Sequence, residues 1–320
     1  MKKIVVIGEG HFGTAIATVL AHNGYEVTLW CYEAEIANMI NQGHSNSKYF
    51  PDIKLNKNIK ATNNLLDAIK DSEYIFVAIP VKFLRLVIEK LKPDIKSTQV
   101  IVCLSKGIEQ DTLLFPTQIV QEILPNTQIA VISGPSFAKE LVEQKLTGVN
   151  LATQVEGHYS NLQATLKNDY VKIKKTKDLL GLEICGALKN VLTIGIGIAQ
   201  GAHFADNTIA YLFTKCLAEM GLLLHALGGQ KETAYDLAGV GDLVLCAFGK
   251  SSRNLWFGQE IGKGKKLDDI LKNNVTVEGL NTLQSVKQLS TKLNINLPFC
   301  NAVYNIVFED GNIDSILKGL

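Results

Sequence analysis

The sequence predicts a doubly wound α/β half followed by an all-α half, and three observations carry that expectation. Apolar runs such as Lys3-Ile4-Val5-Val6-Ile7 and Tyr74-Ile75-Phe76-Val77-Ala78-Ile79 recur through the first half, separated by helix-spaced segments. Strands covered on both faces of a parallel sheet read this way, as continuous apolar runs. The first run passes directly into Gly8-Glu9-Gly10-His11-Phe12-Gly13 and then into a helical pattern. From Thr176 to Leu180 the character changes, and long helical periodicity without convincing strands continues to the end. The expected division is 1–178 and 179–320, with a cleft between the two parts.

The first strand spans Lys2 to Ile7, and its turn has the form G-x-G-x-x-G. In such a turn the first glycine permits the tight bend, the second lets the backbone approach a pyrophosphate, and the third lets the helix pack on the strand. The helix N-terminus then offers N–H groups to the phosphates. The plain alternative is a glycine turn that only joins a strand to a helix; the β-branched run before it and Thr14 to Ala21 at helical spacing after it favour a dinucleotide site. That helix stops at His22-Asn23-Gly24, and a second strand, Glu26 to Trp30, begins at once. Further strands are expected at Tyr74–Ile79, Val100–Leu104 and Ile129–Ile132, with 149–153 and 171–174 extending the edge. Phe83 to Lys90 and Thr117 to Ile123 supply helical crossovers. In open α/β sheets ligands bind at the carboxyl ends of strands, so those loops are the first place to look for chemistry. No internal repeat or low-complexity segment interrupts the chain, only a short turn rich in lysine and glycine at Gly262 to Lys266.

Composition narrows the function. A chain of 320 residues with 47% hydrophobic and 20% charged residues is long enough for about two domains with a large core. A net charge of +1 argues against nucleic-acid binding through a basic face, so any anionic ligand must be held by a local cluster. No signal-like segment precedes the first strand, and Val191 to Ala199 is short and interrupted by Gly195 and Gly197, so a cytoplasmic protein without integral membrane association is expected. Six cysteines lie apart, with no C-x-x-C pair or adjacent histidine. They read as reduced, buried thiols, and no metal site is expected.

Several segments carry candidate chemistry. Leu104-Ser105-Lys106-Gly107 follows one strand, where Lys106 either holds an anionic or carbonyl oxygen or is a solvated loop charge. Ser133-Gly134-Pro135-Ser136-Phe137-Ala138 follows the next, as a binding turn or a helix start capped by Ser136. In Leu182 to Gln200, Gly186, Lys189, Asn190, Thr193, Gly197 and Gln200 fall on one arc about 100° wide at helical spacing, and most other positions are apolar. The economical reading is a buried helix whose polar stripe lines a cavity. A lysine there loses hydration, which favours the neutral form and suits proton transfer near neutral pH. The competing reading is that Lys189 snorkels to water or pairs with a structural carboxylate such as Glu183. Asp242 follows the glycine-rich Ala238-Gly239-Val240-Gly241, as a functional carboxylate or a helix cap. Ser251-Ser252-Arg253-Asn254 suits a phosphate, because arginine offers paired planar donors; a serine-capped surface helix is the other account.

Together these motifs, with Tyr49-Phe50-Pro51 followed by Ala61-Thr62, Ser105-Lys106-Gly107-Ile108-Glu109, Ala187-Leu188-Lys189-Asn190 and Val277-Glu278-Gly279, resemble the bacterial NAD(P)-dependent glycerol-3-phosphate dehydrogenases along essentially the whole chain. The resemblance implies a Rossmann-type N-terminal domain, an all-α C-terminal domain, and hydride transfer between a nicotinamide and C2 of dihydroxyacetone phosphate, giving sn-glycerol 3-phosphate for glycerophospholipid synthesis. It implies Lys189 as proton donor or acceptor, Lys106 polarising the carbonyl, and Asp242 holding Lys189 in place and charged. Ser252, Arg253 and Asn254 would meet the substrate phosphate, with Gly134, Ser136 and Asn190 also at the substrate. Gly8, Gly10, His11, Phe12, Gly13, Tyr32, Glu33 and Tyr49, with Lys106 and Ala138, would line the dinucleotide, and Arg253, Val277, Glu278 and Gly279 would close over it. A homodimer is also implied.

The chain departs from the family pattern at three places. Glu9 and His11 replace a small residue and a serine, while Phe12 agrees. After the second strand Cys31-Tyr32-Glu33 stands where NADP-using members tend to carry an arginine; Glu33 lies 20 residues beyond Gly13, about where an acid bonds the ribose hydroxyls. NADH is therefore expected over NADPH, with NADP as the possible second coenzyme. Cys246-Ala247 stands where relatives commonly have Thr-Cys. A hydroxyacyl-CoA enzyme would need a His–Glu pair, and His44, His158, His203 and His225 sit in no such context. A redox-sensing protein that has lost catalysis would have no need of Lys106, Lys189 and Asp242.

Overall fold

The structure, a computed structural model, describes residues 3–272 and 276–318, so Lys2 of the expected first strand lies outside the described residues. Two compact units are formed. One comprises the chain up to Ser105 together with Pro116–Leu179, and the other Lys106–Phe115 together with the chain from Leu180 onward.

The first unit begins β1 (Lys3–Ile7), α1 (His11–His22), β2 (Val27–Trp30), α2 (Ala34–Gly43), β3 (Ser45–Asn46), β4 (Phe50–Lys54) and β5 (Ile59–Thr62). It continues α3 (Leu65–Ile69), β6 (Ser72–Val77), α4 (Val81–Leu91), β7 (Val100–Cys103), α5 (Pro116–Ile123) and β8 (Gln128–Ser133). The last elements are α6 (Ala138–Val142), β9 (Thr147–Thr153), α7 (Glu156–Leu166) and β10 (Val171–Thr176). Eight strands form one sheet in the order β10-β9-β8-β7-β6-β1-β2-β5, and β3 pairs with β4 as a separate hairpin. From β1 the chain moves outward to β2 and β5, then returns to β6 on the other flank of β1. Strand order thus reverses at β1, and in doubly wound sheets the crevice at such a switch point takes the ligand.

Two features differ from the sequence expectation. The sheet is mixed, because β9 runs antiparallel to β8 while β10 runs parallel to β9. Apolar continuity reports burial on both faces, which strands of either direction satisfy, so it did not distinguish them; the chain turns back after α6 through Gln144 at φ 57°. The strands β3, β4 and β5 were also not expected. β5 reads Ile59-Lys60-Ala61-Thr62 with its lysine exposed, as befits a sheet edge, and β4 contains Pro51.

The second unit consists of α8 (Leu179–Gly201), α9 (Asp206–Ala226), α10 (Asp242–Phe248), α11 (Arg253–Gly262), α12 (Leu267–Leu271), α13 (Glu278–Leu293) and α14 (Pro298–Phe308), joined in part by short 3-10 and π turns. No strand occurs among its described residues. Helices α8 and α9 are long and apolar enough to cross a membrane by length and composition alone, but α8 is buried almost throughout as the unit's core helix. Small residues bring α8 and α11 into backbone contact. A Cβ on Gly258 would lie 2.1 Å from the Ile194 carbonyl oxygen, and one on Gly197 2.5 Å from that of Leu255. Gln200 bonds Gln259 at 2.9 Å. Gly197 and Gln200, at that end of the expected stripe, therefore serve the helix crossing.

Buried Glu219 of α9 accepts the Phe299 and Cys300 N–H groups at the start of α14, at 2.5 and 3.0 Å. All six cysteines are buried thiols.

Candidate active site

In the first unit the three glycines of the turn have three separate physical reasons. Gly8 has φ 114°, and a Cβ there would lie 2.6 Å from the Ala78 carbonyl oxygen beyond β6. A Cβ on Gly13 would lie 1.9 Å from the Gly8 oxygen, so α1 presses directly on the turn. At Gly10, by contrast, an added Cβ meets nothing within 4 Å. The turn is thus locked at both ends and open at its middle, and α1 starts there without a side-chain cap. These residues fit a dinucleotide pyrophosphate: open space over a glycine backbone, beside a helix start that favours negative charge.

Polar groups not expected from sequence hold the turn. Asn46, fully buried, donates to the Glu9 carbonyl oxygen and to Thr14 Oγ1, both at 2.9 Å. Thr14 Oγ1 in turn donates to the Glu9 oxygen at 2.8 Å. Buried Glu9 reaches across to the end of β2, where its two carboxylate oxygens accept the N–H groups of Tyr32 at 3.1 Å and Glu33 at 3.2 Å. Glu33 is ion-paired with Lys48 at 2.5 Å. A cation thus lies beside Glu33, supplied by Lys48 from beyond α2 rather than by the segment that follows β2. Burial, helped by Glu9 and Glu33, pushes the Cys31 thiol up to about 12.

The other expected dinucleotide residues of this unit gather near the turn. The His11 ring meets Tyr49 edge-on at 5.0 Å. Phe12, Tyr49 and Ala138 pack against the small apolar cluster that contains Ala15, Phe50 and Leu141. Tyr32 is exposed and stands edge-on to Trp30. Gly134 has a packing reason of its own, since a Cβ there would meet Val149 Cα at 2.9 Å, and Ser136 donates to the Gly134 oxygen at 2.9 Å.

The second unit brings Lys106, Lys189 and Asp242 together from sequence positions far apart. Asp242, at the start of α10, is 1% exposed; its Oδ2 binds Lys106 Nζ at 2.5 Å and its Oδ1 lies 3.4 Å from Lys189 Nζ. Lys189 Nζ also donates to Cys246 Sγ at 2.8 Å. Burial penalises the Asp242 carboxylate, but the two ammonium groups outweigh it and hold its pKa below the ordinary value. Burial likewise works against the Lys189 charge, yet Asp242, Cys246 and Glu278 together raise its pKa above that of a free lysine. The expectation that burial would favour a neutral Lys189 is therefore corrected, because its partner is a buried carboxylate. That partner is Asp242 and not Glu183. The Cys246 thiol is raised, first by burial, and stays protonated at neutral pH.

Beside this cluster Asn190 Oδ1 accepts from Asn254 Nδ2 at 2.9 Å, and Asn254 Oδ1 accepts the Gly279 N–H at 3.2 Å. Asn190 Nδ2, on the residue next to Lys189, is buried without a partner among the described residues, as is Thr193 Oγ1 one turn on. A buried unpaired donor is costly and is a natural place for an acceptor on a bound molecule. Ser252 caps α11 through the Leu255 N–H at 3.2 Å, while Arg253 is exposed on the first turn of that helix. Val277 is buried at the start of α13, and Gly279 is required by contact, since a Cβ there would lie 2.8 Å from Asn254 Oδ1.

Sequence reasoning did not assign Asn46 or the bonding of Glu9, because both contacts join segments distant in the chain. Cys246 was noted only as a departure, yet it touches Lys189; its place one helical turn after Asp242 was the available signal. Among the described residues no group of His, Cys, Asp and Glu could hold a metal.

A sheet whose strand order reverses at a glycine turn, and a helical unit with two ammonium groups around a buried carboxylate, define a class: dinucleotide-dependent dehydrogenases with a helical second unit. Residues 3–158 match the family model of the NAD-dependent glycerol-3-phosphate dehydrogenase N-terminus, and residues 178–318 that of its C-terminus. The chain belongs to the NAD-dependent glycerol-3-phosphate dehydrogenase family. It is 39% identical over 313 residues to the glycerol-3-phosphate dehydrogenase [NAD(P)+] of Citrifermentans bemidjiense, covering 97% of this chain and 93% of that one. The enzyme of that name from Bacillus subtilis is 36% identical, with 100% and 94% covered. The crystal structure of glycerol-3-phosphate dehydrogenase from Coxiella burnetii superposes with a TM-score of 0.94 at 32% identity, covering 99% of this chain and 98% of that one.

Proposed function

We propose that this chain catalyses the reversible reduction of dihydroxyacetone phosphate to sn-glycerol 3-phosphate, with NADH as its favoured coenzyme and NADPH as a second one. The part up to residue 178 would bind the dinucleotide, and residues 179–320 would bind substrate. When bound, the coenzyme supplies the hydride that reduces C2 of the ketone. Lys189 donates a proton to the oxygen that gains electrons, and takes it back in the reverse direction. Lys106 polarises the carbonyl, and Asp242 keeps both ammonium groups charged and oriented. A cation preset in a buried site stabilises a developing oxyanion far better than one in water. Asn190 Nδ2 supplies a further donor, and Ser252, Arg253 and Asn254 hold the phosphate, whose binding orients the carbonyl.

The observation that carries this reading is the buried Lys189 ammonium, held charged by Asp242 and adjacent to the unpaired Asn190 donor. The product would feed glycerophospholipid synthesis in the cytoplasm. Assembly as a homodimer is supported by apolar side chains exposed along α9, Tyr211 and Leu222.

The test follows NADH absorbance with dihydroxyacetone phosphate. Wild type is expected to turn over, and Lys189→Ala to lose at least about a thousandfold in kcat, since it removes both charge and proton. Absence of turnover in wild type overturns the proposed reaction. Retained activity in Lys189→Ala removes that residue from the mechanism.

A further inference from the structure

We infer that Glu9, inside the glycine turn, selects NADH over NADPH by occupying the two backbone N–H groups at the end of β2 with a fixed carboxylate. The inference deepens the proposed use of NADH and rests on the dinucleotide reading of the turn.

In a dinucleotide-binding sheet the residues just beyond β2 face the adenosine ribose, where an acid bonds the hydroxyls or a cation receives a 2′-phosphate. In this chain the two N–H groups available at that place, those of Tyr32 and Glu33, both point at one carboxylate, from Glu9 at 3.1 and 3.2 Å. Successive backbone N–H groups aimed at one point form a seat for an anion. Here the protein fills that seat itself. The charge balance around it points the same way. Glu9 and Glu33 bring two negative charges, and Lys48, exposed and bonded to Glu33 at 2.5 Å, brings one positive charge. The net local charge of −1 faces a 2′-phosphate with like sign, while the uncharged hydroxyls of NADH ribose meet acceptors they can donate to.

Glu9 is placed to do this because it is buried and doubly bonded, unlike a surface carboxylate that could swing away. Burial first, and then the charges of Glu9 and Glu33, raise the thiol of Cys31, the residue that follows β2. Glu33, the acid expected from its spacing, is half-buried and tied to Lys48; it is the less effective barrier of the two.

The test is equilibrium binding to the coenzyme-free protein by calorimetry, with NADH, NADPH, ADP and adenosine 2′,5′-bisphosphate as titrants. Wild type is expected to bind NADPH at least tenfold more weakly than NADH, and adenosine 2′,5′-bisphosphate more weakly than ADP. Glu9→Ala opens the seat and removes the charge, and should shift the NADPH:NADH affinity ratio at least tenfold toward NADPH. Glu9→Gln, which keeps the size of the side chain, should shift it in the same direction by about threefold or more, because the charge is gone. Glu9→Gln also serves if Glu9→Ala fails to fold. An unchanged ratio in a folded variant, or a wild type that prefers NADPH, overturns the role of Glu9. Failure of wild type to bind any of the four overturns the dinucleotide reading itself.

Discussion

Replacement of Asp242 by asparagine isolates the electrostatics of the lysine cluster with little change in shape. Asp242 is the carboxylate shared by Lys106, at 2.5 Å, and Lys189, at 3.4 Å. Two unit charges 3.4 Å apart attract by about 5 kcal/mol at an effective dielectric of about 20. If relaxation and water entry recover about half, about 2–3 kcal/mol remains, or roughly a hundredfold in the protonation equilibrium and in any step that needs the ammonium. In wild type the Lys189 pKa is raised, so its contribution to stability is complete below its unfolded value and is lost only as pH rises through the higher folded value. The Asp242 pKa is lowered, so its contribution is complete above its unfolded value and is lost only as pH falls through the folded one. Both groups are therefore charged across the neutral range, and kcat for dihydroxyacetone phosphate reduction should not fall between about pH 6 and 9 through loss of the Lys189 proton. In Asp242→Asn the burial that opposes the Lys189 charge is no longer outweighed by that carboxylate. The expected result is a kcat lower by roughly a hundredfold, with a new basic limb inside that pH range. Unfolding by urea should show a loss of about 3 kcal/mol, because the buried Lys189 and partly buried Lys106 ammonium groups lose their counter-charge. Adding Lys106→Met should return part of that stability without restoring turnover. A folded Asp242→Asn enzyme with wild-type kcat and an unchanged pH profile would refute this account.

Cys246→Thr keeps a polar partner at Lys189 Nζ and should leave kcat within about fivefold, whereas Cys246→Val removes the acceptor 2.8 Å away and should cost tenfold or more, read from steady-state kcat against pH. Gly10→Ala and Gly13→Ala should separate binding from folding. The first adds a methyl group to open space and should weaken NADH binding at least tenfold with thermal stability unchanged, while the second places Cβ 1.9 Å from the Gly8 oxygen and should lower stability by several kcal/mol, roughly, as read by thermal unfolding.

The parts of this molecule legible in sequence were those in which the signal is local. The turn from Gly8 to Gly13 announced itself because strand, glycines and helix are contiguous; Gly8 and Gly13 have steric reasons of the kind the motif requires, and Gly10 leaves open space at the middle of the turn. Lys189 stood out as one cation on an apolar helix, which is a statement about burial. Burial alone argues for a neutral lysine, however, and the sign reverses only when Asp242 is placed beside it. That placement is a fact of packing within the helical unit, and no periodicity encodes it. The same limit explains Gly197: on a helical wheel it shares an arc with Lys189, but the position of α11 decides that its missing side chain serves a helix crossing. Glu9 shows the limit most sharply. In the sequence it stands out only as a departure from the family pattern, yet the bonds it makes are to Tyr32 and Glu33, beyond the neighbouring strand β2. Spacing locates residues along one element, whereas charge state and selectivity arise between elements. A motif can therefore name the coenzyme class, while the choice between two coenzymes differing by one phosphate depends on which side chain reaches the ribose end of the site.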